Sequence, residues 1–299
     1  MRLVYFGTPD DAVPPLRALV AAGHDIALVV TQPDRRRGRR GNEVLPSPVK
    51  ICATELGLPV ATPQRSGEIV DDVSALDADL GVVVAFGQLL PPSLLAATAH
   101  GFVNVHFSLL PRWRGAAPVE RALLAGDPTT GVGIMEMEAG LDTGGLYAQA
   151  VVDIRPDDTA GSLRSRLVDV GTTLLVATLP SVVDRAPEPQ HGEPVYAAKL
   201  TVEEFRLDPR CSADELERRV RAGNPRPGAW ASVGGKRLKV LAATVHEGDT
   251  PTVGHVSRAG VLGCSSGALR LVTVQPEGKQ PMDAAAWIAG RRDEVVLDD

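Results

Sequence analysis

The sequence predicts an α/β protein: an N-terminal Rossmann-like domain on a mostly parallel sheet, then a linker, then a small C-terminal β-barrel of the OB type. Three observations predict it. Short β-branched runs alternate with helical patterns through the first half, a proline-rich stretch follows, and short strands then recur at regular intervals. The corresponding segments are 1–184, 185–206 and 207–299.

The runs LVYF at 3–6, IALVVT at 26–31, LGVVVAF at 80–86 and FVNVHF at 102–107 are almost continuously apolar, as strands buried on both faces of a parallel sheet require. Between them Pro14 and Pro15 stand early in one helical segment, and Ser47-Pro48 supplies an N-cap and first helical residue for another. Leu163, Leu167, Val170, Leu174 and Val182 recur at near-helical spacing and predict a closing helix for the first domain. Residues 185–194, RAPEPQHGEP, hold three prolines and no apolar period, which marks a linker. SADELERRVRAGNPRPG then reads as a capped helix stopped by glycine and proline. ASV, RLKVLAATV, PTVGHVS, GVLG and ALRLVTV supply the barrel strands.

A length of 299 residues with 44% hydrophobic and 23% charged residues suits two globular domains. Cys52, Cys211 and Cys264 are odd in number and lack C-x-x-C spacing, so neither a disulfide framework nor a metal site is expected. Charge arrives early at the N-terminus, so no signal-peptide core forms there. No apolar run approaches the roughly 18 residues that span a bilayer. A cytoplasmic protein without a membrane partner, and a monomer, is the expectation. The net charge of −6 argues against coating nucleic acid with the whole surface. It is unevenly spread: from residue 207 onward 13 Lys and Arg face 12 Asp and Glu, and before it 18 face 25.

FGTPDDA opens the chain where a Rossmann protein carries its glycine fingerprint, but the G-x-G-x-x-G spacing is missing, so a nicotinamide dinucleotide is not expected. Alone, the segment is a strand-to-helix turn. Asn104 and His106 are two apart in a strand, so their side chains leave one face. They read either as the lip of a ligand crevice or as a satisfied buried histidine beside a capping asparagine. Asp142, in GLDTGGLY, lies in good turn chemistry.

The string NVHFSLLPRWRGAAPVERALLAGDPTTGVGIMEMEAGLDTGGLY, residues 104–147, resembles the formyltransferase family that uses 10-formyltetrahydrofolate. PRWRGAAPVERALLAGD, FGTPDDA, TQPDRRRGRR, LPSPVK, VAFGQLLP and VQPEGKQPM resemble its methionyl-tRNA branch, in family order along nearly the whole chain. The resemblance puts Asn104, His106 and Asp142 on the catalytic triad and Ser108, Leu109, Leu110 and Pro111 on the signature loop. It lays the folate along Phe86, Gly87, Gln88, Leu89 and Leu90 and along Met137, Glu138, Ala139, Gly140 and Leu141. The implied partner is initiator methionyl-tRNA. Phe107 departs from the family pattern, which carries a small residue there.

These residue types suit the implied reaction. Formyl transfer passes through a tetrahedral carbon whose oxygen gains charge, so Asn104 and His106 can donate to that oxygen, and Asp142 can orient the imidazole. The substrate's own amine attacks, so no nucleophilic side chain is required. Glycinamide-ribonucleotide formyltransferase is the nearest rival, but it is typically one domain. Formyl-folate hydrolase and sugar-amine formyltransferase modules differ in the segment after SLLP. A tRNA-binding module without activity is opposed by the intact triad.

The run Asp34-Arg35-Arg36-Arg37-Gly38-Arg39-Arg40-Gly41 would alone be a solvated loop. The resemblance makes it an inserted loop on the tRNA acceptor stem, with Arg35, Arg36, Arg37, Arg39 and Arg40 as contacts and Arg39 foremost. Arg39→Ala should then raise the KM for tRNA, leave folate affinity alone, and reduce the salt slope by on the order of one phosphate contact. Titrations across a salt series check this, and an unchanged slope would return the run to solvated surface.

Overall fold

The apolar runs become the strands of one twisted sheet in the computed structural model, which describes residues 1–36, 44–291 and 293–298. The chain forms two compact units. One comprises Met1–Gly115, Thr130–Asp153 and Arg164–Tyr196, and the other Ala116–Thr129, Ile154–Leu163 and Ala197–Asp299.

The first unit is built on β1 (Arg2–Gly7), β2 (Asp25–Val30), β3 (Val60–Ala61), β4 (Leu80–Val84), β5 (Phe102–His106), β6 (Thr129–Glu136) and β7 (Leu146–Asp153). Their spatial order is β7-β6-β5-β4-β1-β2-β3. The pairs from β3 through β2, β1 and β4 to β5 are parallel, and β6 lies antiparallel to β5. Strand order therefore reverses between β1 and β4, and the carboxyl ends of such neighbours are where open α/β sheets bind ligands. FGTPDDA and VAFGQLLP meet there: the Thr8 hydroxyl donates to the Phe86 carbonyl at 3.0 Å. Beneath them Phe6 packs edge-on against Phe86 and Phe102, with ring centroids 5.2 and 5.5 Å apart.

Helix starts follow the chemistry read from the sequence. In α1 (Val13–Ala21) the two prolines occupy the first turn, where no backbone donor is lost. In α2 (Pro48–Glu55) the Ser47 hydroxyl accepts from the Lys50 amide at 3.0 Å. The closing helix α3 (Ala160–Val182) forms, but its buried stripe departs from the expected one. Leu163, Leu167 and Val182 are buried, whereas Val170 and Leu174 are only half-buried and Val168, Gly171 and Leu175 take the inner places. The reason is Gly171, which no count of apolar residues registers. A Cβ there would stand 3.0 Å from Val132, 3.1 Å from Val105 and 3.7 Å from Phe107. The bare backbone lets the helix lie close to β5 and β6 and leaves room for the Phe107 ring, which is buried.

In the second unit α4 (Ala213–Gly223) carries a full capping box between Ser212 and Glu215. The strands are β8 (Ala229–Val233), β9 (Lys236–His246), β10 (His255–Val256), β11 (Val261–Gly263), β12 (Ala268–Pro276), β13 (Met282–Asp283) and β14 (Val295–Val296). They are ordered β8-β9-β12-β11-β10-β14, with β13 beside β12 and every pair antiparallel. The sheet curls until its ends meet: just past β14 the Asp298 amide donates to the Ser232 carbonyl of β8 at 2.8 Å. Leu216, Val220, Val240, Leu262, Leu269, Val274, Trp287 and Ile288 fill the interior, as the expected small barrel requires.

Arg35–Arg36 pairs with Val44–Leu45 in a short antiparallel ladder. Arg37, Arg39 and Arg40 of the expected tRNA loop lie outside the described residues. Among the described residues no helix is long and apolar enough to cross a membrane.

The Asp298 carboxylate closes the barrel by accepting from the Ser232 hydroxyl at 2.6 Å and from the Gly235 and Gly234 amides at 2.8 and 3.0 Å. These bonds, the Ser232 hydroxyl first, hold its carboxyl below the usual 3.8. A depressed carboxyl contributes stability that is complete above about pH 4, its unfolded value, and is lost as pH falls through the lower folded value. Asp298→Asn should therefore lower Tm at pH 7 and leave Tm at about pH 2 near the parent's in a series of thermal melts. An equal loss at both pH values would remove the carboxylate from barrel closure.

Candidate active site

His106 is the last residue of β5, and strand alternation puts Asn104 on the same face, half-buried. The imidazole is almost enclosed. Its Nε2 lies 2.9 Å from the Trp113 carbonyl, and its Nδ1 lies 3.6 Å from Asp142 Oδ2, with side-chain exposures of 6% and 17%. A carbonyl oxygen only accepts, so Nε2 carries a hydrogen in this arrangement, and Nδ1 is the nitrogen turned to the carboxylate.

Asp142 is held from two sides. Its Oδ2 accepts from the Gly115 amide at 2.7 Å, and its backbone carbonyl accepts from the Gln190 amide nitrogen at 2.9 Å. Three residues around this region have left-handed backbones that side chains rarely adopt: Ala85 at φ 47°, Trp113 at φ 64° and Asp142 at φ 52°. Such conformations persist only where surrounding contacts over-determine them, and they gather at functional sites. Trp113 aims its carbonyl at His106 as a result.

Two halves of the chain match known family models. Residues 1–179 match "Formyl transferase" and residues 199–292 match "Formyl transferase, C-terminal domain". The methionyl-tRNA formyltransferase of Ruegeria pomeroyi is 45% identical over 293 residues, covering 97% of each chain, and that of Halorhodospira halophila is 48% identical over 300 residues, covering 97% of this chain and 96% of its own. The chain belongs to the methionyl-tRNA formyltransferase family. In fold it is also similar to WlaRD, a sugar 3N-formyl transferase whose structure was determined in the presence of dTDP and 5-N-formyl-THF, at a TM-score of 0.68 and 14% identity over 94% of this chain and 99% of that one.

The segments that the formyltransferase resemblance assigns to folate are differently disposed. The Phe86 ring and the Leu90 side chain are buried in the core. Gly87, at φ 82°, lies against Gln32, whose amide nitrogen also donates to the Phe86 carbonyl at 2.9 Å. The Gln88 carbonyl oxygen accepts from the Ser66 amide at 2.7 Å. Leu89 is 82% exposed and Leu141 51% exposed, so each segment presents one large bare leucine. Glu138, Ala139 and Gly140 are also exposed, while Met137 packs against the core. In the signature loop Ser108 is fully buried and its hydroxyl donates to the Arg112 carbonyl at 2.7 Å, Leu109 is half-buried against Gly131, Leu110 is buried, and the Pro111 carbonyl accepts from the Val195 amide at 3.2 Å. A cleft of about 400 Å³ is lined by Gln32, Pro33, Asp34, Gln64, Gly87 and Gln88. Gln64 had no signal in the sequence beyond carrying an amide group, whereas Gln32 and Pro33 lie in TQPDRRRGRR, one of the segments that carry the resemblance.

Sequence reasoning also missed Trp113, Gly115 and Gln190, because the first two act through backbone atoms and the third sits in the proline-rich stretch. Burial pushes the Cys264 thiol up to about 11 and also raises that of Cys52, and Cys211 packs against the barrel core.

The Trp113 contact makes a spectroscopic prediction. In ¹⁵N-correlated spectra of the histidine rings, His106 in its neutral form should be the Nε2–H tautomer. Finding the hydrogen on Nδ1 of the neutral ring would mean that the Trp113 carbonyl does not hold it.

Proposed function

We propose that this chain transfers the formyl group of 10-formyltetrahydrofolate to the α-amine of methionine on initiator tRNA, with Asn104, His106 and Asp142 as its catalytic residues. The observation that carries the reading is Asp142 set 3.6 Å from the His106 ring at the carboxyl end of β5, with Asn104 two residues earlier on the same strand face, on a chain 45% identical over nearly its full length to a methionyl-tRNA formyltransferase.

Asn104 supplies a neutral N–H donor to the oxygen that gains charge as the amine attacks. His106 acts through Nδ1, because Nε2 is bound to the Trp113 carbonyl. It holds the proton released as the new N–C bond forms, and the Asp142 carboxylate, 3.6 Å away, stabilises that protonated ring. The proton can then pass to the folate nitrogen, from which the formyl carbon departs. The exposed Leu89 and Leu141 give the folate apolar cover, and main-chain groups of Phe86–Leu90 and Met137–Leu141 read its hydrogen-bonding edge. The arginine loop takes the acceptor stem, and residues 1–184 and 207–299 serve as catalytic domain and tRNA-binding barrel, with 185–206 running between them. The protein works in the cytoplasm as a monomer.

Incubation with 10-formyltetrahydrofolate and charged initiator or elongator methionyl-tRNA tests this. Formyl-methionine should form on the initiator, and its absence would overturn the reading. His106→Ala should slow transfer by roughly 10²- to 10⁴-fold and Asn104→Ala by about 10²- to 10³-fold, mostly in kcat, with Asp142→Asn similarly damaging. A change confined to the KM for folate would assign the residue to binding instead.

A further inference from the structure

We infer that Gln190 is a positioning residue for formyl transfer, its carboxamide clamping the Asp142 turn against His106. The inference rests on the reading of Asp142 as the partner of His106. It concerns a residue 84 positions from that histidine, in a stretch whose composition suggests only a linker.

The proline-rich stretch is woven into the first unit. Glu188 exchanges both backbone hydrogen bonds with Leu146, at 2.7 and 2.9 Å, and Pro187 stacks on Gly145, where a Cβ would come within 2.9 Å of the ring. Further along, Val195 bonds to the Pro111 carbonyl at 3.2 Å, and the Arg114 amide to the Val195 carbonyl at 2.9 Å. Two prolines around Glu188 restrict the backbone, so little freedom remains to be lost when this strap is laid down.

Gln190 stands in the middle of the strap with every polar atom of its side chain engaged. Its nitrogen donates to the carbonyls of Asp142 and Gly144, at 2.9 and 2.7 Å. Its oxygen accepts from Arg114 Nε and Nη2, at 3.0 and 2.7 Å. This orientation is dictated by chemistry: guanidinium only donates and carbonyls only accept, so the reversed amide would face like partners on both sides. The Arg114 neighbour, Gly115, donates its amide to the Asp142 carboxylate. The bonds thus form a closed circuit through 114–115, 142 and 190, with Gln190 fixing the Asp142 backbone and Gly115 fixing its carboxylate.

The need for the clamp lies in the left-handed φ of 52° at Asp142. Aspartate tolerates that conformation but does not prefer it, so an unrestrained turn relaxes and carries the carboxylate away from Nδ1. A displacement of about 1 Å in a catalytic group costs on the order of 10²-fold in rate.

Gln190→Glu and Gln190→Ala test the inference. Glutamate keeps the Arg114 contact and turns an acceptor toward the two carbonyls, so it should leave folding intact while releasing the turn. Both variants should lose about 10- to 100-fold in kcat, with KM for 10-formyltetrahydrofolate and for initiator methionyl-tRNA within about twofold of the parent. In an Asp142→Ala background the same replacements should cost less than about twofold, because their effect passes through Asp142. Parental kcat in Gln190→Glu, or a loss undiminished by Asp142→Ala, would overturn the clamp. Parental activity in Asp142→Ala alone would instead strike the role of Asp142 itself.

Discussion

The hydrogen bond from the Gly115 amide to the Asp142 carboxylate, 2.7 Å long, is the constraint around which the candidate site at the carboxyl end of β5 is arranged. It holds that carboxylate beside the imidazole, with Oδ2 3.6 Å from Nδ1 of His106. To make it, the chain must bring together the loop leaving β5 and the turn between β6 and β7. The sheet does this because β6 lies antiparallel to β5, with Gly133 opposite His106 and Glu136 opposite Val103. The turn after Glu136 then doubles back, and the Glu136 amide bonds to the Gly145 carbonyl at 2.8 Å.

The fold was legible in the sequence wherever a side chain alone states a structural role. The apolar runs of β1, β2, β4 and β5, the Ser47 cap and the Ser212–Glu215 capping box are of this kind, since burial and capping depend on residue type at fixed spacing. The stripe of α3 was misread at Val170 and Leu174 because the close approach is made by Gly171, which contributes through the volume it lacks. Ala116–Thr129 and Ile154–Leu163 count with the second unit, a matter of chain path that no local pattern records.

The same division applies to the site. The spacing of Asn104 and His106 in a strand leaves a ligand crevice and a satisfied buried histidine equally open, and the resemblance around them, as around Asp142, makes them site candidates. Trp113 and Gly115 act through a carbonyl and an amide that every residue type carries, so no letter of the sequence marks them. Gln190 was hidden for a different reason. Prolines that suggest an extended linker also suit a strap pinned along an existing edge, and composition cannot tell the two apart, because both are extended and both lack apolar periodicity.

In the proposed reaction the chemistry at this site is hydrogen bonding and proton movement. The geometry narrows that further. Nε2 of His106 faces a backbone carbonyl that has no proton to give and cannot accept one at neutral pH. That leaves Nδ1 as the nitrogen that would gain and lose a proton in the proposed transfer, facing a carboxylate fixed by the main chain. On the proposed reading the imidazole therefore takes the amine proton and gives it up through the same nitrogen. That is the economical arrangement when the nucleophile is an amine brought by the substrate, which has to be relieved of a proton once and has no need of a second group to activate it.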